Sequence, residues 1–165
     1  MSDYIQLNNI SKIFGKQIGK DRDFPESVGA IIETIEFIPY MSAYQNLVDI
    51  AAMRGNLSKV RIKEVLEMVG LENVGRKHVS KFSMGMRQRL GIAQAIMEDP
   101  DILLLDEPLN GLDNEGVEEI RKVLLSLKEK GKLIILASHS KEDIQILCDT
   151  VFRMDHGKII ATEIN

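Results

Sequence analysis

The sequence has no tryptophan, one cysteine and four prolines among 165 residues, and aromatic side chains make up 5%. A single cysteine, Cys148, excludes an internal disulfide and suits a reducing compartment. Charge of one sign is also scarce: 21 basic and 25 acidic residues leave a net −4. With so few aromatics, that balance lacks the basic footprint of a nucleic-acid binder, and no nucleic-acid partner is expected. The longest apolar runs, such as Ile102–Leu105 and Leu133–Ala137, are far too short to span a bilayer. The opening Met-Ser-Asp-Tyr has no basic stretch followed by an apolar one, so no signal peptide is expected. What is present is ordinary: 44% hydrophobic and 28% charged residues, as in a globular chain. A domain of this length buries about 68–70% of its unfolded surface, enough for a core without staples. The expectation is a cytoplasmic domain.

No internal repeat or low-complexity segment is visible. Residues 4–9 alternate weakly like a strand, residues 16–27 are polar and turn-rich, and Val28–Ile32 is an apolar run that reads as a buried strand. A helical stretch follows. Ser42 with Gln45 forms a capping box for a helix that ends at Gly55. Ser58 opens a second helix, with Val60, Ile62, Val65, Leu66 and Val69 apolar and Gly70 at its end. Ser83 opens a third, which runs to Met97. The pattern then changes to alternating strand and helix. Ile102–Leu105 and Leu133–Ala137 are short apolar strands, and Asp113 caps a helix with Val117, Ile120, Leu124 and Leu127 at helical spacing before Gly131. Ser140 caps another, and Val151–Met154 and Lys158–Ala161 flank a turn at Asp155-His156-Gly157. Apolar strands between amphipathic helices imply an α/β fold with a parallel sheet covered on both faces. The methionines at 41, 53, 68, 84, 86 and 97 are expected mostly in the core, with contact to another protein as the other reading.

Four stretches carry chemistry. Ile102–Leu105 ends in Asp106 and Glu107, two adjacent carboxylates at the carboxyl end of a strand, where parallel α/β sheets bind ligands. One carboxylate can hold Mg²⁺ and the other orient a water; equally, a strand ends and its acids meet solvent. Ser83-Met84-Gly85-Met86 opens a helix, where free N–H groups and a partial positive charge favour phosphate; an ordinary capped helix reads the same way. His139 follows an apolar strand and can contact a phosphate oxygen or serve structurally. Asn110-Gly111-Leu112-Asp113 is a turn whose aspartate is most simply a helix cap.

Together and in this order these stretches resemble the ATP-binding domains of ABC transporters. Residues 82–89 resemble the family's signature motif, with Met84 and Met86 where the commonest form has Gly and Gln. Residues 102–107 resemble Walker B plus the catalytic glutamate, residues 110–113 the D-loop, and His139 the switch histidine. Asp155-His156-Gly157-Lys158-Ile159 is similar to the family's closing hairpin. Glu33 falls where most members have the Q-loop glutamine. That residue and the Met-rich signature resemble the bacitracin and lantibiotic exporter subgroup, although that subgroup usually has Pro where this chain has Ile35. The resemblance implies that Asp106, with Glu33, meets Mg²⁺ and that Glu107 polarises the attacking water. It implies that His139 touches the γ-phosphate, that Ser83, Met84, Gly85 and Met86 bind ATP held by a second ABC subunit, and that Asp113 sits at the dimer interface. It also implies a membrane permease partner and a peripheral place at the inner face of the membrane.

The family's phosphate cradle is G-x-x-x-x-G-K-[ST], and this sequence lacks it. The four Gly-Lys pairs, at 15, 19, 131 and 157, are followed by Gln17, Asp21, Leu133 and Ile159. The positions five before each Gly hold Ile10, Phe14, Ser126 and Phe152 rather than Gly. By resemblance, Tyr4–Phe14 is the family's first strand, so a strand, loop and helix are missing near Lys12–Gly15, about one βαβ unit. The missing strand belongs beside Leu133–Ala137. The expected fold is therefore a P-loop NTPase-like α/β sheet without its P-loop strand and helix. Residues 1–40 and 98–165 form an incomplete ATPase core, and 41–97 an inserted helical subdomain carrying the signature motif. The expected function is an ATP-binding exporter subunit unable to bind or hydrolyse ATP alone. The alternatives are a non-enzymatic partner donating its signature motif to an intact subunit, and a deletion fragment with no role.

Overall fold

The computed structural model describes residues 27–32, 36–55 and 57–165. The weak strand of residues 4–9, the proposed junction at Lys12–Gly15, and Glu33 and Ile35 lie outside the described residues. The chain divides into two compact units, Ser27–His139 and a second that contains Ser140–Asn165.

The first unit is built on three parallel strands in the order β1 (Val28–Ile31), β2 (Ile102–Asp106) and β3 (Leu133–Ala137). Val28 pairs with Ile102, and Ile102 with Leu133, so the three strands start level, and β2 and β3 also end level at Asp106 and Ala137. Between β1 and β2 the chain forms helices α1 (Ala43–Arg54), α2 (Lys59–Met68) and α3 (Met84–Ile96), with short 3₁₀ turns at 72–74 and 79–81. Helix α4 (Asn114–Glu129) connects β2 to β3.

Local chemistry sets the helix limits. Ser42 and Gln45 complete a reciprocal capping box at the start of α1. Ser58, Ser83 and Asp113 cap α2, α3 and α4 through their side-chain oxygens. Gly70 and Gly131 close α2 and α4 with positive φ, each followed by the paired 6→1 and 5→2 bonds of a Schellman end: Leu71 N–H to Leu66 O and Gly70 N–H to Glu67 O after α2. Two arginines then join α2 and α3 reciprocally. Arg61 on α2 donates to the Ile96 and Met97 carbonyls at the end of α3. Arg89 on α3 donates to the Val69 carbonyl at the end of α2.

The core runs from the helices into the sheet. Leu47, Ile62, Val65, Leu90, Ile92 and Ile96 are buried with Ile31, Leu103 and Leu105. Helix α3 comes so close to β1 that a Cβ on Gly29 would overlap the Ala95 carbonyl oxygen. Helix α4 buries Ile120, Leu124 and Leu127. Coverage of the sheet is less even than the apolar runs imply. β2 is mostly buried, whereas all five residues of β3 are half-buried and Ala30 on β1 is exposed. Among the described residues no strand pairs with the far edge of β3.

The methionines depart from expectation. Met97 is buried, Met41, Met68 and Met86 are half-buried, and Met53 and Met84 are 83% and 65% exposed. Leucine and isoleucine already fill the inner helix faces, which leaves most of the methionines off the core. Among the described residues, no helix is long and apolar enough to cross a membrane.

In the second unit, Ser140 caps α5 (Lys141–Leu147), and β4 (Thr150–Asp155) pairs antiparallel with β5 (Lys158–Ile164). The hairpin is longer than the sequence predicts. Its two-residue loop is His156-Gly157, both with positive φ, as the tightest hairpin turns require.

Candidate functional site

The level ends of β2 and β3 bring the sequence-predicted acids and histidine to one edge. Asp106 is the last residue of β2 and is exposed. Glu107 turns away from the strand with φ of 45°, a left-handed conformation uncommon for a residue with a side chain. Its backbone N–H is held by the Ala137 carbonyl at 2.9 Å. Its carboxylate then faces the end of β3. Oε1 accepts the His139 backbone N–H at 3.0 Å and lies 2.6 Å from His139 Nδ1, while Oε2 accepts from Ser138 Oγ at 3.4 Å. An ionised carboxylate only accepts, so this geometry places a ring proton on Nδ1, and the His139 side chain is otherwise 79% exposed. Three donors thus hold Glu107 inside the chain's own edge.

The second group lies at the start of α3. Ser83 Oγ accepts the Met86 N–H at 3.2 Å, as a helix cap does. Gly85 stands against the turn before α4: a Cβ there would be 2.9 Å from the Gly111 carbonyl oxygen. Gly111 itself has φ of 76° and lies beneath the exposed Met84 side chain. Met86 Sδ is 3.7 Å from Lys77 Nζ. Asp113, at the end of that turn, uses Oδ1 to cap the Gly116 N–H at 2.9 Å. The structure therefore brings Ser83–Met86 together with the 110–113 turn, and Glu107 together with His139.

A residue the sequence reading missed joins the two groups. Gln88 Nε2 on α3 donates to the carbonyls of Glu107 and Pro108, at 3.3 and 3.0 Å. The backbone of the strained glutamate is thereby tied to the helix that begins at Ser83. Gln88 lies inside the stretch already singled out, but nothing in its spacing shows that its amide faces a loop some twenty positions later.

Among the described residues, no cluster of three His, Cys, Asp or Glu could hold a metal ion. Mg²⁺ typically takes one or two carboxylates and fills its remaining positions with water and phosphate oxygens. Asp106 offers one exposed carboxylate, and the sequence contains no Gly-Lys-[Ser/Thr] to bring the phosphates.

Residues 3–110 match the family described as ABC transporter. This chain belongs to the ABC transporter ATP-binding family. It is 48% identical over 151 residues to the ABC transporter ATP-binding protein YybJ of Bacillus subtilis (strain 168), across 92% of this chain and 69% of YybJ. It is 45% identical over 139 residues to the bacitracin transport ATP-binding protein BcrA of Enterococcus faecalis, across 84% of this chain and 45% of BcrA. The chain therefore spans between about half and about two thirds of these relatives' length. The dimeric structure of MJ0796, a bacterial ABC transporter cassette, superposes with a TM-score of 0.75 at 25% identity, covering 84% of this chain and 62% of that one. The parallel sheet and its helices are the α/β fold of ABC ATPases.

Proposed function

We propose that this ABC chain is a subunit of a bacitracin- or lantibiotic-type exporter whose own nucleotide site is silent, and that it contributes its signature edge to an intact ABC subunit. The observation that carries the reading is an asymmetry. The Glu107–His139 edge and the capped helix at Ser83 are both formed, while the sequence holds no phosphate cradle. Positioning and charge stabilisation do nearly all the work in phosphoryl transfer, so a glutamate without a cradle has nothing to act on. The internal hold of Ser138 and His139 on Glu107 fits a site at rest.

In this reading residues 1–40 and 98–165 are an incomplete ATPase core around a helical subdomain at 41–97. Ser83, Met84, Gly85 and Met86 present first-turn N–H groups to phosphates held by the other subunit, and Asp113 lies at the shared interface. Asp106 and Glu33 are the vestigial metal ligands, and Glu107 and His139 the vestigial catalytic pair. The partners are a second ABC ATPase subunit and a membrane permease, with the chain peripheral at the inner face of the membrane.

Two measurements test this. The purified chain should hydrolyse no Mg-ATP above a protein-free blank; a rate that disappears in Glu107→Gln would overturn the silent site. Mixed with an intact family member that carries G-x-x-x-x-G-K-[ST], the chain should raise that partner's turnover, and Ser83→Arg should abolish the increase. An increase that survives Ser83→Arg sinks the donated edge. No increase at all leaves the deletion fragment as the better reading.

A further inference from the structure

We infer that Arg89 is a positioning residue that locks the signature helix α3 to the first turn of α4, and so fixes Ser83–Met86 relative to Asp113. Its side chain is 15% exposed and reaches two other elements at once. Nη1 donates to the Val69 carbonyl at 2.8 Å, at the end of α2, and pairs with Glu119 Oε2 on α4. Two glycines wall the guanidinium. A Cβ on Gly70 would strike Nη1, and a Cβ on Gly116 would stand 2.8 Å from Nη2.

Gly70 has a second reason to be glycine, because its φ of 70° closes α2. Gly116 has none of that kind. It is buried in the first turn of α4 without a positive φ, where glycine is among the poorest helix formers. A Cβ at Gly116 would stand 2.7 Å from the capping Asp113 Oδ1 and 2.8 Å from Arg89 Nη2, so glycine here leaves room for the cap and for the guanidinium together. The Gly116 N–H is also the group that Asp113 caps, so Arg89 presses on the residue that holds Asp113 in place. With Gly85 against Gly111 at the front of α3, the helix meets the turn before α4 at one point and α4 itself at another. A lysine keeps the charge but lacks Nη2, the atom that stands against Gly116.

The inference deepens the proposed donation of the signature edge and rests on it for its purpose, but its test needs no nucleotide. Thermal midpoints of the full chain would be compared for wild type, Gly116→Ala, Arg89→Lys and the double variant, with amide hydrogen exchange alongside. Gly116→Ala should lower the midpoint in the wild-type background. It should lower it less in the Arg89→Lys background, where the second nitrogen is gone and only the approach to Asp113 Oδ1 remains. Arg89→Lys should speed exchange at the Gly116 amide by about tenfold or more relative to amides in the middle of α4, the factor expected for local loss of one charge-assisted hydrogen bond. Equal effects of Gly116→Ala in both backgrounds, or exchange that accelerates uniformly along the chain, would overturn the inference. Should Arg89→Lys not fold, Glu119→Gln gives the same comparison from the half-exposed partner: selective acceleration at Gly116 supports the lock, and a uniform one refutes it. ATP turnover by the chain alone would overturn the proposed function and leave this result standing.

Discussion

Replacing Gln88 offers a test in which the sign of the effect decides. Alanine is the best helix former, so Gln88→Ala on α3 should stabilise the chain by a few tenths of a kcal/mol if the side chain does nothing else. The structure gives it two hydrogen bonds, to the Glu107 and Pro108 carbonyls at 3.3 and 3.0 Å. Each is worth about 0.5–1.5 kcal/mol net, and the longer one belongs at the low end. After the propensity gain is subtracted, the loss is about 1–2 kcal/mol, or about 2–8 °C in Tm for a chain of this size. Gln88→Glu should be worse than Ala, because it has no donor and sets a carboxylate against two carbonyl oxygens. Thermal unfolding followed by far-UV circular dichroism reads the order: wild type, then Ala, then Glu. An alanine variant as stable as wild type, or more so, would refute the link between α3 and the Glu107 turn.

Two further substitutions probe the frame around the site. Gly29→Ala should lower stability by about 3 kcal/mol, the upper part of the usual overpacking range, because its Cβ would meet the Ala95 backbone rather than a movable side chain; an unchanged urea midpoint would disprove the close approach of α3 to β1. Asn46 is 2% exposed and bonds both the N–H and the carbonyl of Ile38. Asn46→Ala should therefore cost about 1–3 kcal/mol and speed hydrogen exchange at the Ile38 amide, and unchanged exchange there would contradict the bonding.

Much of the fold was legible because local chemistry fixes it. Ser42, Ser58, Ser83, Asp113 and Ser140 all cap helices as their spacing implies, and Gly70 and Gly131 end them. Ile102–Leu105 and Leu133–Ala137 appear as strands because a short apolar run beside a Gly or Pro turn has few alternatives. Motif order brought Glu107 and His139 into view together, and they lie 2.6 Å apart. The contacts that bind the site were not legible. Gln88, Arg89 and Arg61 act on carbonyls distant in the chain, and a long polar side chain on a helix reads as solvated until the facing loop is known. The methionines misled because apolar character alone does not say which helix face is already full. The left-handed Glu107 has no local sequence mark, since its conformation is imposed by the hold of Ala137 and the β3 end.

The most direct test of the silent site is the thermal midpoint of the purified chain with and without saturating Mg-ATP. A ligand that binds only the folded state at about 100 times its Kd adds about 2.7 kcal/mol, which for this size raises Tm by about 5–11 °C. The account predicts a cooperative melt that Mg-ATP does not move. A rise of several degrees would show that nucleotide binds without a G-x-x-x-x-G-K-[ST] loop, and would contradict it.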